Sequence, residues 1–216
     1  MYVTNSWRLK MASAVFRSVI PAIALSFALI ATPASAQFKR EGYAFLEAVK
    51  DRDGNAVTEA LKKPGSVVVN TRDITTGETG LHIVTKREDV TWIKFLTQNG
   101  ANPNLKDNQG IAPLQIAATL GSVPAVEELL KAGANVDEPN DTGETALISA
   151  VHNRNTGMIR VLLANGANPD HNDNSGRSAR DYADLMINNG QVLTEFRRAD
   201  EEREGKQKPQ TYGPTF

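Results

Sequence analysis

The chain has no cysteine among its 216 residues and only three histidines. Without thiols there is no disulfide framework, no lipid-anchored lipoprotein and no Cys-ligated metal or thiol chemistry. Neither phosphate-cradling glycine loop is present, since the Walker pattern and G-x-G-x-x-G are both missing. No His-Glu-x-x-His pair and no Ser-His-Asp arrangement legible at short range offers a catalytic centre. Acidic residues are absent before Glu41.

That acid-free start carries Arg8, Lys10 and Arg17 and then "SVIPAIALSFALIATPASA". A basic opening, an apolar middle and the small residues Ala34-Ser35-Ala36 form the pattern of an export signal (1–36) cut after Ala36. The apolar run from Val19 to about Ala31 is shorter than the ~20 residues of a spanning helix, and Pro21 and Pro33 interrupt it. Translation from either Met1 or Met11 leaves an acceptable signal. The expected destination is a bacterial periplasm, with full secretion second, and no membrane contact is expected after cleavage. Loss of Arg8, Lys10 and Arg17 leaves 21 basic against 25 acidic residues, about minus 4, which gives no electrostatic footing for nucleic acid. An exported fold of this kind rests on its apolar core.

What is present is repetition. "NGANPN" at 99–104 returns as "AGANVD" at 132–137 and "NGANPD" at 165–170. Gly100, Gly133 and Gly166 stand 33 residues apart, and so do Gly77, Gly110, Gly143 and Gly176. A fixed period in the range of about 20 to 50 residues marks a stacked array. The units are 76–108, 109–141 and 142–174. Each begins with a turn glycine, and Leu81, Leu114 or Leu147 then opens a short helix of small residues such as Ala117, Ala118 and Ala150. A second helix carries Ile93 and Leu96, Val126, Leu129 and Leu130, or Ile159, Leu162 and Leu163 at helical spacing. Trp92 falls on that second helix, in the expected core. Gly100, Gly133 and Gly166 follow it, where a left-handed turn costs glycine little. The Asp/Asn-rich stretch after them has the composition of a tight turn, a protruding finger.

This grammar resembles the ankyrin repeat, whose pattern is a turn glycine, Thr-Pro-Leu-His, an Ala-Ala helix and a Leu-Leu helix ending in Gly-Ala. The resemblance covers roughly 41–196 and implies an all-α solenoid of stacked helix-turn-helix units with protruding β-turn fingers. Short helix pairs cannot bury their apolar faces alone, so the end units must be atypical. After a short linker at 37–40, residues 41–75 read as an N-terminal cap in which "FLEAVKDRDGNAVTEAL" supplies both helices. Asn70 to Gly77 spans 7 residues where Asn104 to Gly110 spans 6, so the first finger should differ in shape. Residues 175–196 read as a C-terminal cap, with Arg180 in the place of Leu114 and Leu147; a charge there implies a face without a neighbour. A charged flexible tail is expected over 197–216, with the helix fraying around Arg203.

His82 stands at the His of the Thr-Pro-Leu-His position, where the resemblance implies a buried hydrogen-bonding role. In "DHNDNSGRSARD", Asp170, Asn172, Asn174 and Asp181 have calcium-loop spacing, but Ser175 replaces the turn glycine and an aspartate the final glutamate. No metal or cofactor is expected, and the chain is read as no enzyme; an exported hydrolase using His152 or His171 is the catalytic rival.

The resemblance implies instead a protein partner bound on a concave face of finger tips and first helices. The positions free of stacking duty are Thr75, Thr76, Glu78, Lys86 and Arg87 in the first unit, and Asn108, Gln109, Ile111, Thr119 and Leu120 in the second. The third offers Asp141, Thr142, Glu144, His152 and Asn153, and the last Asn174, Ser175 and Arg177. Ile111 and Leu120 form an apolar centre, either as the anchor of an interface or as packing for a neighbouring finger. The expectation is a monomeric scaffold or adaptor; the alternative is an immunity-type inhibitor of a periplasmic toxin or enzyme.

Overall fold

The computed structural model describes residues 34–63 and 67–207. Most of the expected export signal, and 208–216 of the expected tail, lie outside them. Ten α-helices occur among the described residues: α1 (Ala34–Lys50), α2 (Gly54–Lys62), α3 (Gly80–Lys86), α4 (Val90–Gln98), α5 (Pro113–Leu120), α6 (Val123–Lys131), α7 (Ala146–His152), α8 (Thr156–Ala164), α9 (Ala179–Leu185) and α10 (Gly190–Gln207). A 3-10 turn, Val68–Asn70, follows α2. The odd-numbered helices stack on one another in an inner row, and α4, α6, α8 and α10 in an outer row. No helix among the described residues is long and apolar enough to cross a membrane.

Each helix pair is stopped and restarted by the same local chemistry. Asp53, Asp89 and Asn155 accept hydrogen bonds from backbone N–H groups at the starts of α2, α4 and α8. These bonds satisfy donors that the first helical turn leaves free. The residue just before each cap turns left-handed, at Arg52, Glu88 and Arg154. In the last unit that residue is Asn188, which stands 34 residues after Arg154 rather than 33. The extra residue falls at the end of α9 and leaves Leu185 and Ile187 68 % and 78 % exposed.

The core runs the length of the stack. Ala117, Ala118 and Ala150 are fully buried, and the small side chains let neighbouring inner helices lie close. Ile93, Leu96, Val126, Leu129, Ile159 and Leu162 are buried beneath the outer row, while Leu130 is only partly so. Trp92 is half-buried on α4, edge-on to Phe95 with ring centroids 5.8 Å apart.

The fingers are joined tip to tip. In the first, the Asp73 N–H donates to the Glu78 carbonyl at 2.7 Å, one residue further on than in the Asp107 to Ile111 bond of the second. The longer connection therefore does change the first finger. At Gly143 two demands coincide, a φ of +81° and the next finger, whose Asn174 nitrogen would lie 2.6 Å from an added Cβ. Gly176 has a φ of +79° but nothing within 4 Å of an added Cβ, since no further finger stacks on it among the described residues. Gly176→Ala should cost about 1 kcal/mol for its left-handed backbone. Gly143→Ala should cost at least ~1 kcal/mol more, because its finger must also separate from the next. Urea denaturation of the two variants measures the difference.

Both ends depart from expectation. Helix α1 takes in the supposed linker at 37–40, and cleavage after Ala36 would remove Ala34 to Ala36 from it. At the other end α10 does not fray near Arg203 but continues to Gln207. Ala199 is buried, and the Arg203 guanidinium donates to the Ala167 carbonyl. Arg180 likewise has a neighbour. It donates to both Asp200 carboxylate oxygens at 2.9 and 3.1 Å and to Asp170 at 2.8 Å, and lies 5.5 Å from the centre of the Phe196 ring. Charge at that position does not mean an empty face, because the lengthened α10 supplies the counter-charge.

Candidate protein-binding face

Two inner helices, α3 and α5, are each tied to the next finger by the residue at their third position. His82 is fully buried, and its Nδ1 accepts from the Thr79 backbone N–H at 3.1 Å. Its Nε2 therefore carries the proton and donates to the Ile111 carbonyl at 3.0 Å. Gln115 repeats the arrangement, accepting from Ala112 N–H at 3.0 Å and donating to the Glu144 carbonyl at 2.7 Å. These bonds place residues 111 and 144 at the foot of their fingers, facing the ends of the inner helices.

In the first unit the face is largely self-satisfied. Glu78 and Lys86 form an ion pair across it. Arg87 is drawn away from it, donating to the Val49 and Lys50 carbonyls at 2.8 and 3.0 Å and so closing the end of α1. Its guanidinium lies 5.9 Å from the Trp92 ring centre. Burial, and then the neighbouring Arg52, hold its pKa below the ordinary arginine value.

The second unit is uncharged at these positions. Asn108 is committed to the finger row, donating from its backbone to Thr76 and from its amide to Thr75, both at 2.9 Å. Gln109 and Thr119 are exposed. Ile111 is half-buried, whereas Leu120 is 48 % exposed. The expected apolar pair is thus divided, with Leu120 the open member.

Toward the last unit a continuous cluster appears. Glu144 accepts from Ser149 Oγ at 2.7 Å and lies 3.5 Å from His152 Nδ1. The His152 ring meets the Tyr182 ring edge-on, 4.5 Å between centres. Tyr182 donates to Asp173 at 2.7 Å, and the Arg177 guanidinium stands 6.0 Å from the Tyr182 ring centre. The Ser175 hydroxyl, then that of Tyr182, hold the Asp173 carboxyl well below the usual carboxylate range. Ser149 bonds to the carboxylate rather than to the imidazole. Thr142 donates to Asn140 at 2.7 Å, and Asn153 reaches back to the Thr119 carbonyl at 3.4 Å. Asp141 is exposed at the tip.

Tyr182 is the residue that reading the sequence missed. Its register position is filled by Ile83, Ile116 and Ser149 in the preceding units, so an aromatic there was a legible departure. The would-be calcium ligands are otherwise engaged, with Asp170 on Arg180 and the Asn174 amide on the Asp141 carbonyl at 2.9 Å.

A family model of ankyrin repeats in three copies matches residues 45–140, 81–173 and 124–192, most of the chain. The protein belongs to the ankyrin-repeat family. An ankyrin repeat protein of fowlpox virus (strain NVSL) is 34 % identical over 80 residues, covering 37 % of this chain. The chain spans about a quarter of that relative's length, 23 %. Ankyrin repeats generally mediate protein–protein interaction, and proteins built from them are typically non-enzymatic binding modules. Within the repeats of this chain, the letters that stacking leaves free gather from Leu120 to Leu185 along the ends of α5, α7 and α9.

Proposed function

We propose that this ankyrin-repeat protein is a non-enzymatic scaffold or adaptor that holds a partner protein against its concave face, acting as a monomer in the periplasm after export. One observation carries the reading. Leu120, His152, Arg177, Tyr182 and Leu185, at the ends of α5, α7 and α9 and at the last finger, join exposed apolar surface to an aromatic ring and an arginine. Tyrosine and arginine are enriched among residues that dominate binding energy, within apolar patches rimmed by polar groups. Export is supported by the basic, apolar and small-residue pattern that ends at Ala36.

The test is capture from a periplasmic extract by the immobilised protein, beside the double variant Leu120→Asp/Tyr182→Ala. Each anchor should contribute about 1 to 2 kcal/mol of binding. The double variant should therefore release the captured protein while keeping its helical circular-dichroism spectrum. Capture undiminished by the double variant would remove the concave face from consideration.

A further inference from the structure

The first helix pair ends the stack on a face that the later pairs keep covered. Asp53, Asp89, Ser122 and Asn155 open the second helix of successive pairs, and nine residues before them stand Ala44, Gly80, Pro113 and Ala146. By the same count Ala48 stands where Val84, Ala117 and Ala150 do, and Ala56 where Trp92, Ala125 and Met158 do. Those counterparts are buried, Trp92 partly. In the first pair Ala44 and Ala56 are exposed and Ala48 is half-buried. All three, with Phe45 and Val68, line one recess of about 230 Å³. That exceeds the ~150 Å³ that holds a benzene ring in an engineered protein cavity.

Gly80 shows what packs against such a face. A Cβ added there would lie 3.3 Å from the Phe45 ring and 3.5 Å from a Val49 methyl, so the position faces the preceding unit. Phe45 and Val49 stand four apart on α1 and share one side of it. The interface between units therefore sets bulky apolar side chains at i and i+4 of one helix against small residues of the next. Among the described residues no helix precedes α1, and the interface continues to Ala44 and Ala48. An end unit left to solvent ordinarily presents a polar outer face. The last unit does so, with Arg180 and Asp184 on α9 in the places of Leu147 and Val151 on α7. A second copy could not seat that end in the recess without burying charge. At the rim Glu41 pairs with Lys63 at 3.2 Å and Glu59 with Lys62 at 3.5 Å, so the recess calls for no counter-charge.

We infer that the end face formed by α1 and α2 docks a helix of a partner protein that presents bulky apolar side chains at i and i+4, as α1 presents them to α3. Ala44, Ala48 and Ala56 receive those side chains. The inference is independent of the concave face and gives the scaffold a second point of attachment, at the opposite end of the stack from Tyr182 and Leu185. Cleavage after Ala36 would leave every named residue of the recess in place.

The protein, with its alanine methyl groups isotopically labelled, is titrated by nuclear magnetic resonance with a synthetic helical peptide of Ala, Lys and Glu that carries Phe and Val four residues apart. A counterpart with Ser at both places is the comparison. The Phe/Val peptide should shift the methyl signals of Ala44, Ala48 and Ala56 and bind about tenfold more tightly than the Ser peptide. Ala44→Lys/Ala56→Glu changes two exposed helical positions and keeps the net charge. It should weaken that binding about tenfold while leaving the helical circular-dichroism spectrum unchanged. Leu120→Asp/Tyr182→Ala should leave peptide binding as it is. Absence of binding, equal binding of the two peptides, or binding undiminished by Ala44→Lys/Ala56→Glu would each overturn the inference. Shifts of the same methyl signals on concentrating the protein alone would make a second copy the occupant and also overturn it. The concave-face reading is judged separately, by whether Leu120→Asp/Tyr182→Ala releases the captured protein.

Discussion

His82→Ala is expected to lower the unfolding free energy by about 2 to 4 kcal/mol. The ring is fully buried and satisfies the Thr79 N–H on one side and the Ile111 carbonyl on the other. Alanine leaves both backbone groups without partners and opens a cavity between two units. His82→Gln should cost no more than about 1 kcal/mol, because Gln115 already makes the same pair of bonds one unit further along. The two variants separate hydrogen bonding from volume. They also separate pH behaviour, since burial pushes the His82 pKa below its ordinary value. The unfolded chain then takes up the proton first, so wild-type stability falls as the pH drops below about 6.5 and continues to fall until the lower folded pKa is reached. His82→Gln should lose that part of the slope. Urea denaturation at pH 7.5 and pH 5 reads both effects, and a variant with an unchanged pH profile would rule out His82 as the titrating group.

Ending the chain after Arg198 should cost about 2 to 3 kcal/mol, although composition alone marks that segment as a dispensable tail. The truncation removes buried Ala199, the two-pronged Arg180–Asp200 pair and the Arg203 bond to the Ala167 carbonyl. The ion pair is about one-third exposed on each side, so screening holds its share to ~1 kcal/mol. Asp200, and then Asp170, raise the Arg180 pKa, so the guanidinium stays charged throughout the accessible range and its pairing is lost only when a carboxylate is protonated. A chain ending after Gln207 is the control and should match the full chain in thermal denaturation. Equal melting of the chain ended after Arg198 would return the segment to the status of a tail.

The end of α10 shows why composition misled. "RRADEEREG" has few apolar residues and many charges, which in isolation favour a solvated chain. Up to Gln207 the chain makes no finger turn, and the helix continues along a surface already primed with Arg180 and Asp170. Arg87 is a similar case. Its register position is free in the repeat grammar, yet the carbonyls ending α1 lie within its reach and engage it. Leu185 and Ile187 owe their exposure to one inserted residue, visible in the sequence only once Asn188 is known to be the left-handed turn.

The sequence by itself determined the period, the helix pairs, the glycine turns and the burial of the small inner-helix residues. Each is local, set by backbone geometry or by a spacing of three and four. It also separated letters that stacking requires from letters that it leaves free. Tertiary structure decided what the free letters do. Whether Arg87 faces a partner or closes a helix, and whether Tyr182 meets His152, depend on side chains about 30 residues apart in the chain coming within a few ångströms. The repeat brings such residues together at every step, but only the contacts show which of them are already satisfied and which remain open to a partner.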